Sequence, residues 1–216
     1  MNLIGGFLGN DSTFGRMMTK CGTVIAANIL FVICCIPLFT IGAAEVALYH
    51  TVFSMLNAED AINPFKTYWH GFQKNFIRAT IYWLSFAGIM VLGYIDLRVC
   101  MQSGGWIQYL SSGIIAIMFV VFVIVLYLFP LLSVHTGRLS EILKKSIYLA
   151  VNRPLRLIGV GLLHVIPAVL LYVDEVNRPT YAFIGTFFGF GLIAYITGKM
   201  LIAQFKTCTE FCSVNN

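Results

Sequence analysis

Three polar side chains stand inside long apolar segments, and their types make them the residues best able to do chemistry. Glu45 lies in the stretch IPLFTIGAAEVALYH, and Tyr49 follows it by four residues, so a helix places both on one face. His164 lies in a later apolar segment. In membrane proteins, carboxylates and imidazoles at such positions mark solute sites or proton carriers. We therefore predict a candidate intramembrane polar contact or solute site formed by Glu45, Tyr49 and His164.

The same residues also have structural explanations. Pro37 can end one helix, and Thr40 can cap the next one by accepting a backbone N–H. Glu45 would then lie near the positive end of that helix, where an anion is favoured. His164 precedes Pro167 by three residues, so its ring can hydrogen-bond a carbonyl that the proline leaves free.

The remaining acidic residues do not form a catalytic pattern. Glu59 and Asp60 are adjacent and fit a solvated loop end, whereas Asp174 and Glu175 lie in a short turn beside Arg178 and predict a surface ion pair. The sequence contains no Walker loop, no GxSxG elbow, no HExxH motif and no zinc-ligand spacing. We therefore predict no catalytic residue, no metal site and no cofactor.

Small side chains in the apolar segments are interpreted as packing residues. Gly42 would allow a neighbouring helix to approach, and Gly185 and Gly189 form a GxxxG pattern that predicts close helix contact. The six cysteines include no CxxC motif, and we interpret them as reduced apolar side chains. Cys208 and Cys212 are four residues apart, but no histidine accompanies them as a further metal ligand.

The composition identifies the elements that must hold these residues. Of the 216 residues, 59% are hydrophobic and only 11% are charged, and the mean hydropathy is +0.85, values outside the range of soluble proteins. The sequence predicts an all-α polytopic membrane protein with a single membrane domain over residues 1–216. The predicted crossings are about 21–37, 41–56, 79–95, 111–134, 157–173 and 179–198.

The positive charges set the topology. Six crossings leave only Arg98 and Arg178 of the 14 basic residues outside, with both termini in the cytoplasm. If residues 41–56 do not cross, five crossings remain, and Arg16 and Lys20 are outside as well. The charge rule favours six crossings, and five remain the alternative. The net charge of +5 is spread over several loops and does not predict nucleic-acid binding.

Three amphipathic stretches with a basic face precede predicted crossings, at residues 14–21, 65–76 and 139–150. We predict that they are interfacial elbow helices, separate from the crossings, which anchor the bundle at the lipid surface. The alternative is that one of them docks on a partner. The richest in aromatic residues is the second, so the candidate partner-docking surface comprises Phe65, Trp69, Phe72 and Asn75.

Four blocks of sequence resemble a known family. FGRMMTKCG at 14–22, PLFTIGAAEVALYH at 37–50, YWHGFQKNFIRATIYWL at 68–84 and FPLLSVHTGRLSEILKKSIYLAVNRP at 129–154 resemble the YesL family of small bacterial integral membrane proteins. The resemblance implies a Gram-positive source and an uncharacterised family with no established activity. It also implies an association with carbohydrate uptake systems, especially ATP-driven importers of oligosaccharides.

The resulting functional expectation is a non-enzymatic accessory or interaction protein of a carbohydrate ABC importer. Its expected partners are the lipid bilayer and the importer's permease subunits, and a homo-oligomer is compatible with this role. The expected location is the bacterial cytoplasmic membrane, with multiple crossings. The alternative is a small stand-alone membrane transporter or channel.

Overall fold

A computed structural model describes residues 13–58, 60–103, 109–135, 137, 139–152 and 154–214, with side chains described as far as residue 202. These residues form helices and their connections, and no strand occurs among them. We number the α-helices in chain order. They are α1 Thr13–Cys34, α2 Ile41–Asn57, α3 Pro64–Ser103, α4 Leu110–Val134, α5 Leu139–Asn152, α6 Pro154–Val173, α7 Arg178–Ile184 and α8 Phe190–Val214.

Six helical segments in the described part of the chain are long and apolar enough to cross a membrane. A helix needs on the order of 20 apolar residues to span the hydrocarbon core, and each of the six meets this requirement by length and composition. The prediction of an all-α polytopic membrane protein is therefore confirmed. The six segments are Phe14–Cys34, Leu38–Asn57, Pro64–Gln102, Leu110–Val134, Pro154–Val173 and Arg178–Ile202.

The connection between α1 and α2 is short and closed by hydrogen bonds. α1 ends at Cys34, three residues before Pro37, and one turn of 3₁₀-helix, Leu38–Thr40, leads directly into α2. The predicted cap was wrong, because Thr40 has helical backbone angles and its side chain caps nothing. Its hydroxyl instead faces the carbonyl oxygens of Cys34 and Pro37, at 2.5 and 2.6 Å. A carbonyl only accepts, so the hydroxyl is the donor and secures the connection.

α2 is the most buried of the six segments and packs against α1, α3, α4 and α8. Its first residues are small, which lets neighbouring backbones approach closely. A Cβ atom added to Gly42 would lie 2.5 Å from the Cβ atom of Trp83 and 2.7 Å from the carbonyl oxygen of Ala79. The predicted role of Gly42 in close approach is therefore confirmed, and the neighbour is α3.

α3 is a single helix of 40 residues. It begins where the sequence favours a start, with Pro64 as its first residue and the Asn63 side chain accepting the backbone N–H of Lys66 at 3.2 Å. The predicted elbow at 65–76 is therefore not separate from the crossing at 79–95, because no residue between them breaks the helix. At 1.5 Å per residue α3 is about 60 Å long, roughly twice the thickness of a hydrocarbon core.

The other two predicted elbows behave differently from each other. The first is continuous with α1, so its prediction as a separate helix was also wrong. The third forms the separate helix α5, which ends at Asn152, while the following span begins at Pro154. Proline is favoured at the first position of a helix, which fits Pro154 as the first residue of α6.

The last span is interrupted by a π-helical segment, Gly185–Gly189, between α7 and α8. The predicted GxxxG packing was wrong here. A Cβ atom on Gly185 would meet nothing within 4 Å, and one on Gly189 would meet only backbone atoms of the same helix, at Ile184. A close helix contact occurs instead at Gly191, where a Cβ atom would lie 2.8 Å from the carbonyl oxygen of Val24 in α1.

Asn28 of α1 compensates for this interruption. Its side-chain amide N–H donates to the carbonyl oxygen of Thr186, and its amide oxygen accepts the backbone N–H of Gly191, both at 2.6 Å. Asn28 is completely buried. One side chain thus satisfies two backbone groups at the π-helical segment and ties the first span to the last.

Candidate functional site

Two of the three predicted intramembrane residues meet in the structure. The Tyr49 hydroxyl of α2 lies 3.5 Å from Nε2 of His164 in α6, although the two residues are 115 positions apart in the chain. Tyr49 is 2% exposed, so its hydroxyl is enclosed by protein. Spacing alone could not predict this contact, because it depends on how α2 and α6 pack.

The histidine ring is held in one tautomer by the backbone. Nδ1 of His164 lies 2.8 Å from the carbonyl oxygen of Val160, one turn earlier in α6. Since a carbonyl only accepts, Nδ1 carries a hydrogen, and in the neutral ring Nε2 accepts from the Tyr49 hydroxyl. His164 was predicted to bond the carbonyl that Pro167 leaves free, which belongs to Leu163. That prediction was wrong, because the ring bonds the Val160 carbonyl instead.

Glu45 lies on the same helix, one turn before Tyr49. The two side chains are close enough to interact electrostatically, and Glu45 interacts in the same way with the Cys35 thiol. Within the described part of the chain, Glu45 forms neither a hydrogen bond nor an ion pair, and its side chain is half-buried. It is the fifth residue of α2, beyond the first turn, so the predicted stabilisation by the helix end does not reach it.

A fourth polar group, Thr197, was not predicted. The Thr197 hydroxyl of α8 faces the Tyr49 hydroxyl, but it is completely buried and has no well-formed hydrogen bond within the described residues. A threonine in an apolar helix is common, so its sequence position gave no signal. The site therefore combines side chains from α2, α6 and α8, with Cys35 beside Glu45.

The second candidate site is the predicted docking surface. Because of how α3 packs, some of its residues are exposed and others are buried. Phe65 is 62% exposed and Trp69 is 52% exposed, whereas Phe72 packs partly against the core. Asn75 is 3% exposed, and its side-chain amide donates to the Gly71 carbonyl of the same helix. The surface therefore consists of Phe65 and Trp69 with the edge of Phe72, which stacks on Trp69 at 5.6 Å between ring centroids. Asn75 was wrongly included in it.

The acidic turn between α6 and α7 is structural. Glu175 pairs with Arg178 at 3.4 Å, which confirms the predicted surface ion pair. Asp174 accepts hydrogen bonds from the Asn177 side chain, the Asn177 backbone N–H and the Tyr181 hydroxyl, and these donors lower its pKa. Of the other two predicted loop acids, Asp60 is exposed, as expected for a solvated loop end, and Glu59 lies outside the described residues.

No group of three or more potential metal ligands occurs among the residues that the structure describes. Four cysteines with described side chains, Cys21, Cys34, Cys35 and Cys100, are free thiols. The side chains of Cys208 and Cys212 lie outside the described part.

The chain was compared with known families, curated proteins and solved structures. Residues 24–97 match the family model described as "Protein of unknown function, DUF624". The matched region contains Glu45, Tyr49 and the exposed aromatic pair Phe65 and Trp69, but it ends before His164. Neither a curated protein nor a solved structure matches the chain. Over the region that holds most of both candidate sites, the chain is thus similar to an uncharacterised family.

Proposed function

We propose that this protein is a non-enzymatic accessory subunit of a carbohydrate ABC importer, which binds the importer's permease subunits through Phe65 and Trp69. The observation that carries the proposal is the exposure of this aromatic pair near the start of α3. Large aromatic side chains contribute strongly to protein interfaces because they bury much apolar area with few rotatable bonds.

The length of α3 supports a contact outside the hydrocarbon core. Because α3 is about twice as long as the core is thick, part of it must extend beyond the bilayer. The predicted crossing at 79–95 leaves Phe65 and Trp69 in the extending part, ten or more residues before the crossing begins. A pair at this position is accessible to a neighbouring membrane protein at the cytoplasmic surface.

The choice of partner comes from the resemblance to the YesL family, which implies an association with carbohydrate importers. The same resemblance supports a location in the cytoplasmic membrane of a Gram-positive bacterium. The distribution of Lys and Arg supports six crossings with both termini in the cytoplasm.

The proposal is tested by affinity purification from the native membrane in a mild detergent, followed by mass spectrometry. We expect permease subunits of a carbohydrate importer to co-purify with the wild-type chain and to be at least tenfold depleted with Trp69→Ala. The matched control is Phe119→Ala, since Phe119 of α4 is exposed to a similar extent, 64%. Loss of the permeases with both variants, or with neither, would contradict docking through this pair.

A small stand-alone transporter or channel is the second candidate function, and the unpaired Glu45 beside Tyr49 and His164 favours it. Transporters hold ionisable side chains within their membrane-spanning helices to bind solutes or coupling ions. The test is solute uptake by the purified protein in liposomes. Uptake that is lost with Glu45→Gln supports a transporter, and absence of uptake across a panel of sugars contradicts a sugar carrier.

A further inference from the structure

The Glu45 carboxyl group is unusual because it lies in a candidate membrane span without a compensating charge. The segment Leu38–Asn57 is the most enclosed of the six spans, and no Lys, Arg or protonated group pairs with Glu45 among the described residues. An ionised carboxylate without a partner is unfavourable within a bilayer. The position of Glu45 therefore favours binding of a ligand that neutralises the carboxylate.

The groups around Glu45 restrict what this ligand can be. They supply one carboxylate, the Tyr49 phenol and, beyond the phenol, the Thr197 hydroxyl and the His164 imidazole, which both face the Tyr49 hydroxyl. Ca²⁺ takes six to eight oxygen ligands and Mg²⁺ takes six, usually with more than one carboxylate. The donor set is too small and carries too little negative charge for a divalent cation. A proton needs only the carboxylate oxygen itself.

We propose that Glu45 is a proton-binding site, in which the carboxylate takes up one proton to become a neutral carboxylic acid within the second membrane span. Its half-buried side chain can exchange this proton with the outside of the protein. The Tyr49 side chain, one helical turn later on the same helix, interacts electrostatically with Glu45 and modulates proton binding. The inference does not depend on the accessory role proposed above.

The ionisable groups near Glu45 come from several helices. The Cys35 thiol approaches from the end of α1, Tyr49 lies on α2 itself, and His164 approaches from α6. From α3, the Tyr68 hydroxyl donates to the Ala44 carbonyl at 3.2 Å, beside Glu45 in sequence. The thiol and the phenols are uncharged near neutral pH, because these groups ordinarily ionise above it.

His50 of the same helix belongs to a different environment. Its ring faces His70 of α3 at 5.9 Å between centroids and interacts electrostatically with Lys74. α4 presents the Phe129 ring to the start of α2, and α8 presents the uncharged Thr197. Proton uptake near Tyr49 is therefore assigned to Glu45 and not to a histidine of α2.

Infrared spectroscopy tests this site directly, since a protonated carboxyl group has a C=O stretching band above the amide I band that an ionised carboxylate lacks. For the purified full-length protein in detergent at neutral pH, we expect this band in the wild type and its loss in Glu45→Gln. Glu175→Gln is the control, because Glu175 is 82% exposed and paired with Arg178, and it should leave the band unchanged. Absence of the band from the wild type, or its persistence in Glu45→Gln, would overturn the proposal.

Two further variants keep the test decisive if Glu45→Gln cannot be purified. Glu45→Asp retains a carboxyl group in an altered position, so the band should shift in frequency, and an unshifted band would assign it to another residue. Tyr49→Phe removes the neighbouring hydroxyl and should change the pH at which the band disappears. An unchanged midpoint would overturn the role given to Tyr49.

Discussion

Gly42 controls how closely α2 and α3 approach each other. The space for a Cβ atom at this position is already taken by the Trp83 side chain and by the Ala79 backbone carbonyl. Because backbone cannot move aside as a flexible side chain can, an added methyl group must push the two helices apart. α2 lies at the centre of the described bundle, so such a shift would affect several helix contacts at once.

We predict that Gly42→Ala lowers the free energy of unfolding by about 1 to 3 kcal/mol, the usual cost of overpacking a well-packed core. Thermal unfolding of the purified protein in detergent measures the effect. Gly88→Ala is the control, since a Cβ atom there would meet nothing within 4 Å, and its stability should be unchanged or slightly higher. Equal stability of the two variants would show that α2 and α3 are not in close contact at Gly42.

At the scale of single residues, only part of the candidate site could be predicted from the sequence. The four-residue spacing correctly placed Glu45 and Tyr49 on one helix, and the apolar surroundings identified His164 as unusual. The contact between Tyr49 and His164 depends on packing between distant segments, and Thr197 joined them without any distinctive motif. Thr40 was misassigned because its hydroxyl bonded backwards, to the preceding turn, and a sequence pattern does not distinguish the two directions.

At the scale of single elements, the π-helical segment Gly185–Gly189 depends on a side chain from another helix. A π-helix disturbs the regular ladder of backbone hydrogen bonds, and π-helical segments occur mostly as short insertions in α-helices. Within an apolar span no water is available to hydrogen-bond a backbone N–H or C=O group that lacks its helical partner. Asn28 supplies the missing donor and acceptor from α1.

We predict that Asn28→Ala destabilises this region, because it leaves the Thr186 carbonyl and the Gly191 N–H without their partner. An unsatisfied buried polar group costs about 1 to 3 kcal/mol. Hydrogen exchange followed by mass spectrometry should show faster exchange in peptides covering residues 185–191. Thr23→Val is the control, since the Thr23 hydroxyl bonds only within its own helix, to the Thr19 carbonyl. Similar exchange in both variants would contradict the role of Asn28.

The elbow helices show what amphipathic patterns can and cannot predict. The patterns correctly identified helical residues with an apolar and a polar face, but they carried no information on whether the helix continued. Between 76 and 79 the chain has no proline or glycine, so α3 continues without interruption. In contrast, α5 ends at Asn152 and the separate helix α6 begins at Pro154. The presence of a helix breaker is therefore the better predictor of an elbow.

At the scale of the whole molecule, the orientation of α2 distinguishes six crossings from five. With six crossings the connection from α1 to α2 lies outside the cell, whereas with five crossings it lies inside. Ile36 is 78% exposed in this connection and is a suitable position for a reporter. Ala61, in the connection from α2 to α3, is exposed and lies inside in both topologies.

We predict that Ile36→Cys is labelled by a membrane-impermeant thiol reagent in intact cells and that Ala61→Cys is labelled only after permeabilisation. Both substitutions are made in a chain whose six native cysteines are replaced by alanine. The physical reason is the positive-inside rule, which places Arg16 and Lys20 in the cytoplasm. Protection of Ile36→Cys in intact cells, with labelling after permeabilisation, would establish five crossings instead.

The central claim is that Phe65 and Trp69 contact a permease subunit, and site-specific photo-crosslinking measures this contact most directly. The photoreactive amino acid p-benzoylphenylalanine is introduced in place of Trp69 or, as the control, in place of Phe119. Illumination of native membranes should give a covalent adduct between this chain and a carbohydrate-importer permease from position 69 and not from position 119. No permease adduct from position 69, or an adduct only with a second copy of this chain, would contradict the account.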